Sequence, residues 1–112
     1  MLFFSNLTEK EKELFKVVEY NANDIIFNEN DICNYIGIVL KGEVIISTIT
    51  YNEKEEVINV IKENEVFGDI LLFASNNIYL GDVITTKKST IAFINKENLN
   101  YLLQNNTYVL SS

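Results

Sequence analysis

The sequence contains no histidine, arginine, tryptophan or proline, and its one cysteine is Cys33. A single cysteine excludes an internal disulfide and agrees with a reducing compartment. With no histidine and no second cysteine, one chain cannot build an iron–sulfur or zinc site from the usual ligands. We therefore expect no metal and no other cofactor, and we expect Cys33 to be a free thiol in the core or at the surface.

Positive charge is also scarce, since the net charge is −7 and all nine basic residues are lysines. A domain that binds nucleic acid normally carries a basic face, so direct DNA binding by these residues is disfavoured. No apolar run approaches the roughly 18 residues that a membrane span needs. The acidic stretch after Phe4 is unlike a secretory signal. These features predict a cytoplasmic protein without membrane contact.

The chain has 112 residues, of which 47% are hydrophobic, and this favours one packed domain over residues 1–112. Thr8 and Glu11 have the spacing of a capping box, in which each side chain bonds the other residue's backbone amide. Together with Leu7, Leu14 and Phe15 as an apolar face, this spacing predicts a short helix over 8–17.

Beyond residue 20 the pattern is typical of β-strands, because β-branched residues alternate between polar turns. We predict strands at 24–27, 35–40, 43–51, 56–61, 82–86 and 89–95. A short helical segment is predicted after Gly68, and leucines at helical spacing predict a C-terminal helix over 96–110. The predicted fold class is mainly β, a double-stranded β-roll or jelly roll with short helices at both ends and after Gly68.

Four short motifs follow one another in a recognisable order. The first is Phe-Ser-Asn-Leu-Thr at residues 4–8, and the second is Asn-Glu-Asn-Asp at residues 28–31, which precedes a hairpin segment from Tyr35 to Gly42-Glu43-Val44. The third is Phe-Gly-Asp-Ile-Leu-Leu-Phe at residues 67–73, and the fourth is the segment from Ile94 to Leu99. In this order they resemble the effector domain of bacterial Crp/Fnr transcription regulators. The resemblance covers nearly the whole chain and implies a cyclic-nucleotide-binding type of β-roll.

In that family the segment matching residues 67–73 is the phosphate-binding cassette. The resemblance implies that backbone amides near Gly68 meet an anionic phosphate, that the next carboxylate, here Asp69, takes a ribose hydroxyl, and that an arginine pairs with the phosphate. Counting from Gly68, the arginine position falls near Tyr79 and the usual Ser/Thr position near Leu80. With a slip in loop length the candidates for the arginine position are five residues, none of which is cationic: Ile78, Tyr79, Leu80, Gly81 and Asp82. Losing such a charge-assisted contact costs about 1.5–3 kcal/mol. Tight binding of cyclic AMP or cyclic GMP in the usual way is therefore not expected.

The candidate ligand-binding residues form a modified cassette: Gly68, Asp69, Ile70, Leu71, Tyr79, Leu80 and Gly81. Three interpretations of this cassette are open. The pocket takes an apolar or neutral effector with Ile78, Tyr79 and Leu80 in its wall, or its own side chains fill it, or the Gly68 amides bind an anion weakly. Tyr79 either stacks on a ligand ring or covers the core.

The resemblance further implies a non-catalytic sensor that forms a homodimer through its C-terminal helix. Contact with DNA is expected only through a helix-turn-helix domain that this sequence, which reaches Ser112, does not include. The apolar residues of the C-terminal helix are expected either to begin the dimer seam or to cap the β-roll: Leu99, Leu102, Leu103 and Val109.

Two other classes of function compete with the sensor. One is a stand-alone β-roll interaction module, and the other is a cupin-like barrel that binds a small metabolite. Cupin chemistry usually needs a histidine cluster, which this sequence lacks. Asp69 and Asp82 could form an acid–base pair, but nothing in the sequence places a nucleophile beside them, so enzymatic activity is not expected.

Overall fold

The computed structural model describes residues 4–105, which form eight strands in two antiparallel sheets. This arrangement confirms the predicted mainly β, double-stranded β-roll. None of the helices in this part of the chain has the length and apolar character needed to cross a bilayer. The elements in chain order are a 3-10 turn Phe4–Asn6, α1 Glu9–Lys12, β1 Lys16–Tyr20, β2 Ile25–Phe27, β3 Tyr35–Lys41, β4 Val44–Ile49, β5 Glu55–Ile61, β6 Val66–Phe67, α2 Asp69–Leu72, β7 Asp82–Thr85, β8 Ser89–Asn95 and α3 Lys96–Asn105.

The strands are ordered β1-β8-β3-β6 in one sheet and β2-β7-β4-β5 in the other. Successive side chains of a strand face opposite sides of its sheet, so one set of side chains from each sheet fills the space between the sheets. Consecutive residues of β3 and β8 are both buried, so the first sheet is covered on its outer face as well. Core residues contributed by strands of both sheets are completely shielded from solvent: Ile38, Val39, Val44, Val83, Ile91 and Ala92. The rigid pair of sheets is the frame that positions the loop and helix after β6.

The N-terminal helix is shorter than the sequence predicts. The capping box is confirmed, since the Thr8 amide donates to Glu11 Oε1 at 2.9 Å and the Glu11 amide donates to Thr8 Oγ1 at 3.1 Å. However, α1 ends at Lys12, and residues Lys16–Tyr20 form β1 beside β8. The prediction of helix to residue 17 was wrong because consecutive valines favour extended backbone and β8 offers them a hydrogen-bonding partner.

The C-terminal helix α3 spans Lys96–Asn105, and the part predicted over 106–110, including Val109, lies outside the described residues. Its start is fixed by the Asn95 side chain, whose Oδ1 accepts the Asn98 amide at 2.8 Å. Leu99 and Leu102 are buried, and Leu103 is half-buried. Of the two alternatives for these leucines, the structure shows the cap on the β-roll for Leu99 and Leu102.

Candidate functional site

The two-residue strand β6 pairs with β3. After β6 the chain turns sharply at Gly68 and enters the four-residue helix α2. Gly68 has φ +83°, a left-handed conformation that side chains other than glycine rarely adopt. A Cβ placed there would lie 2.7 Å from the Tyr35 carbonyl oxygen and 3.1 Å from the Tyr79 hydroxyl. Glycine is therefore required both by the turn and by the close approach of the backbone to the core beneath it.

A cavity of about 220 Å³ lies between α2 and the β4–β5 hairpin. Its wall is mostly apolar: Ile46, Ile58, Asn59, Val66, Phe67, Gly68, Asp69, Ile70, Leu71, Tyr79 and Leu80. A bulge in β5 shapes one side of it. Ile46 pairs with Asn59 whereas Ser47 pairs with Val57, so Ile58 is left without a partner in the ladder. The extra residue brings both Ile58 and Asn59 to the cavity.

Six of the seven cassette residues predicted from the sequence meet at this cavity. The exception is Gly81, whose Cα packs against the Ser47 backbone so closely that a Cβ would lie 2.6 Å from its carbonyl oxygen. Ile78 also lies away from the cavity, in a bridge with Ile32. Sequence reasoning missed the contribution of β4 and β5, because no local pattern reveals which strand packs across from a loop.

Tyr79, which the family resemblance places near the arginine position, lies in the core. It is 1% exposed, and its ring stacks on Phe27 with centroids 5.1 Å apart and planes 11° apart. Its amide donates to the Asp31 carbonyl at 3.0 Å, and its carbonyl accepts the Asn30 amide at 2.9 Å. Tyr79 therefore covers the core and forms the floor of the cavity, and stacking against Phe27 occupies a face that a ligand ring would need.

Cys33 lies directly beneath the turn and is 1% exposed, which confirms the prediction of a free thiol on its core alternative. Its Sγ is 3.3 Å from the Tyr35 carbonyl oxygen and 3.5 Å from both the Gly68 carbonyl oxygen and the Tyr79 hydroxyl. A thiol is a weak hydrogen-bond donor and packs like a small apolar side chain. The thiol therefore offers a weak hydrogen bond to these three oxygens, where the chain passes closest to Gly68.

The electrostatics of the cavity are acidic. Among residues 4–105, Asp69 is its only charged lining residue, and none of the nine lysines, all of which lie in that range, is found in the wall. Within residues 4–105 the Asp69 carboxylate accepts no hydrogen bond and makes no ion pair. Asp82 lies apart, with its Oδ1 accepting the Glu29 amide at 2.6 Å. The two aspartates therefore do not converge as an acid–base pair.

A second, larger groove of about 750 Å³ runs between α1 and α3. Its lining is dominated by charged and amide side chains on two helix surfaces, including Lys10, Glu13, Glu97 and Gln104. Small-molecule sites are usually apolar with a few converging polar groups. The cavity beside Gly68 fits that description better, although it is smaller.

Comparison with known proteins decides the family. The model of the cyclic nucleotide-binding domain matches residues 17–106. The chain belongs to this family. The comparison with curated proteins gave no match.

Solved structures share the fold of this cyclic nucleotide-binding domain. A transcriptional regulator from Thermotoga maritima is 24% identical with a TM-score of 0.81, over 91% of this chain and 79% of that chain. The sensor domain of the transcriptional regulator DNR from Pseudomonas aeruginosa is 17% identical with a TM-score of 0.78, over 96% and 74%. The catabolite activator protein of Thermus thermophilus is 17% identical with a TM-score of 0.74, over 91% and 49%. The domain thus spans about half the length of the last of these.

The buried hydroxyl of Tyr79 predicts a loss of stability at alkaline pH. Burial is the main cause that raises the pKa of Tyr79 above its ordinary value of 10.0, and the neighbouring Cys33 adds to it. Above pH 10 the unfolded chain loses this proton and the folded chain keeps it, so the free energy of unfolding falls with pH by up to about 1.4 kcal/mol per unit. Urea titrations of the wild type and Tyr79→Phe between pH 8 and 11 measure this slope. The wild type should lose stability more steeply than the variant, and equal slopes would contradict the assignment.

Proposed function

We propose that this cyclic nucleotide-binding domain is a non-catalytic, effector-sensing part of a Crp/Fnr-type transcription regulator, and that its cassette does not hold cyclic AMP or cyclic GMP in the usual way. One observation carries the second part. The residue at the position where the family resemblance places an arginine is Tyr79, and its side chain points into the core against Phe27. The position of the cation is thus filled by a buried aromatic ring.

The charge of the cavity supports the same proposal. A cyclic phosphate placed there would meet the Asp69 carboxylate and no cation from the cavity wall. Removing an anion from water without a countercharge is strongly unfavourable. The amides at the start of α2 would remain as donors, but Asp69 lies in that same first turn and its negative charge opposes a second anion.

The size of the cavity points in the same direction. Ligand sites for drug-sized molecules have volumes of about 300–1,000 Å³, whereas this cavity holds about 220 Å³. A whole nucleotide would need the wall to move, and Tyr79 in the floor is held by ring stacking and two backbone hydrogen bonds.

The assembly is also part of the proposal. We propose that the domain forms a homodimer through its C-terminal helix and that DNA is contacted by a separate domain. Leu99 and Leu102 are buried in the β-roll, so the seam would use the outward face of α3, where Tyr101 is 54% exposed. Movement of the cassette would reach α3 through Phe73, whose ring lies 5.0 Å from Lys96 Nζ at the start of that helix.

Titration with cyclic AMP and cyclic GMP by calorimetry tests the proposal that the cassette lacks the cationic contact to the phosphate. We expect dissociation constants no tighter than about 1 mM, which corresponds to about 4 kcal/mol of binding free energy. Saturable binding of either nucleotide by the unaltered domain at micromolar concentration would overturn the proposal.

A matched pair of variants sharpens this test. Leu80→Arg adds a cation at a residue that is 65% exposed and lines the cavity, so we expect cyclic AMP affinity to rise about fivefold to tenfold. Ile25→Arg adds the same charge at a 53% exposed position outside the cavity and should leave affinity unchanged. Equal gains in both variants would show that net charge, rather than the cavity, controls binding.

A stand-alone interaction module is the second candidate, and the ring of Tyr79 within the cassette is what favours it. Such a module has no effector, so no small molecule should raise its melting temperature. A sensor should be stabilised by its effector in proportion to the logarithm of ligand concentration.

A further inference from the structure

We infer that the cavity beside Gly68 accepts a small molecule with an apolar body and one positive charge, of the chemical class of short primary alkylamines. This inference rests on the proposed effector-sensing function, and it names the class of effector. Three features of the described residues carry it: an unpartnered carboxylate, an exposed apolar rim and a small volume.

The carboxylate is that of Asp69, at the first position of α2. It is exposed, lines the cavity, and has neither an ion pair nor a hydrogen bond within residues 4–105. In the part of the chain that the structure describes, it is the only charged group in the wall, so a bound ammonium group would meet attraction without a competing lysine. The net charge of −7 adds a long-range attraction for cations and a repulsion for anions.

The apolar rim consists of Ile58, Ile70 and Leu80. Their side chains are 46%, 83% and 65% exposed, although all three line the same cavity. Apolar side chains that converge on one concave site while remaining exposed are typical of binding surfaces. An alkyl group lying between them would remove apolar surface from water on both sides of the contact.

The third feature is the volume of about 220 Å³, which suits a molecule smaller than a nucleotide. Asn59 adds one polar group to the wall, and its Oδ1 already accepts the Val60 amide at 2.9 Å. Its side-chain amide hydrogens are thus the part available to a ligand, beside the carboxylate of Asp69. An ammonium group only donates hydrogen bonds, so its partner in this wall is the Asp69 carboxylate, and the Asn59 amide hydrogens cannot pair with it. The negative charge of Asp69 disfavours a carboxylate or phosphate at the same place.

The test is an NMR titration of the ¹⁵N-labelled domain with three five-carbon probes: n-pentylammonium, 1-pentanol and pentanoate. We expect n-pentylammonium to bind roughly fivefold more tightly than 1-pentanol, as a solvent-exposed ion pair allows, and pentanoate to bind most weakly. The shifts should centre on the amides of Asp69–Leu72 and Leu80. Higher salt should reduce the advantage of the ammonium probe and leave 1-pentanol unaffected.

Two variants isolate the carboxylate. Asp69→Asn keeps the shape of the side chain and should abolish the preference for n-pentylammonium over 1-pentanol. Glu55→Gln removes one negative charge from an exposed β5 position outside the cavity and should preserve the preference. A preference that survives in Asp69→Asn would overturn the assignment of Asp69.

The other outcomes separate this inference from the proposed function. Equal binding of 1-pentanol and n-pentylammonium overturns the positive charge of the effector and leaves a neutral effector for the proposed sensor. Tightest binding by pentanoate, or micromolar binding by cyclic AMP, overturns both the inference and the proposal that the cassette does not hold cyclic AMP in the usual way. No shift with any probe overturns the inference and favours the interaction module.

Discussion

Replacing Tyr79 with alanine is expected to lower the free energy of unfolding by about 3–5 kcal/mol, as truncation of a large buried aromatic side chain does. The ring is 1% exposed, stacks on Phe27 and forms the floor of the cavity. Its removal leaves a void between the core and α2, because neighbouring strands in two paired sheets can close over it only in part. Urea denaturation at neutral pH measures the loss.

Two controls define what the large effect means. Tyr79→Phe keeps the ring and deletes the hydroxyl beside Cys33, and we expect a loss of about 1 kcal/mol. Tyr51→Ala removes a tyrosine that is 95% exposed in the loop between β4 and β5 and should cost less than Tyr79→Ala by several-fold. If Tyr79→Ala were no more costly than Tyr51→Ala, the ring would not be a core element, and the argument that it fills the position of the cation would fail.

Replacing Gly68 with alanine is expected to cost about 2–4 kcal/mol. The left-handed backbone at φ +83° accounts for about 1–2 kcal/mol of strain in any residue with a Cβ. The remainder comes from the methyl group, which would lie 2.7 Å from the Tyr35 carbonyl oxygen, a backbone atom that cannot rotate away. Thermal and urea unfolding measure the change, and amide shifts in α2 should report displacement of the cassette.

The matched control for Gly68→Ala is Ser75→Ala, which makes the same new side chain at an exposed position after α2 and should change stability by less than about 0.5 kcal/mol. The double variant Gly68→Ala with Tyr79→Phe should be less destabilised than the sum of the two single variants. The added methyl group would lie 3.1 Å from the hydroxyl that Tyr79→Phe deletes, so the two sites share a contact. Additive costs would place the clash entirely on the backbone.

Local chemistry made part of the site predictable. Gly68 followed by Asp69 and an apolar run predicts a turn into a short helix, and the structure shows that turn and helix. Counting along the chain from Gly68 also placed Tyr79 and Leu80 in the candidate site, and both line the cavity. The same counting placed Gly81 in the site, where the structure instead packs it on the Ser47 backbone. Proximity in sequence does not establish which part of the fold a residue packs against.

Other parts of the site depend on partners far away in the chain. Ile46, Ile58 and Asn59 reach the cavity because β4 and β5 pass opposite α2 and because β5 has a bulge at Ile58. Residues 55–61 have valine and isoleucine on both faces, so their pattern predicts a strand without indicating where a bulge lies. The direction of Tyr79 has the same origin: its ring faces inward because Phe27 of β2 offers a stacking partner.

The sequence by itself determined the class of fold, the Thr8–Glu11 cap and the lack of an arginine, because alternation, capping and composition depend on residues close together or on counts alone. Only the tertiary structure decided that residues Lys16–Tyr20 are a strand, that Leu99 and Leu102 cap the β-roll, and that Tyr79 lies in the core. Each of these depends on a distant partner: β8, the sheets or Phe27. The valines of β1 favour extended backbone, but a strand forms there only because β8 pairs with it, and local preferences are too weak to fix such a choice alone.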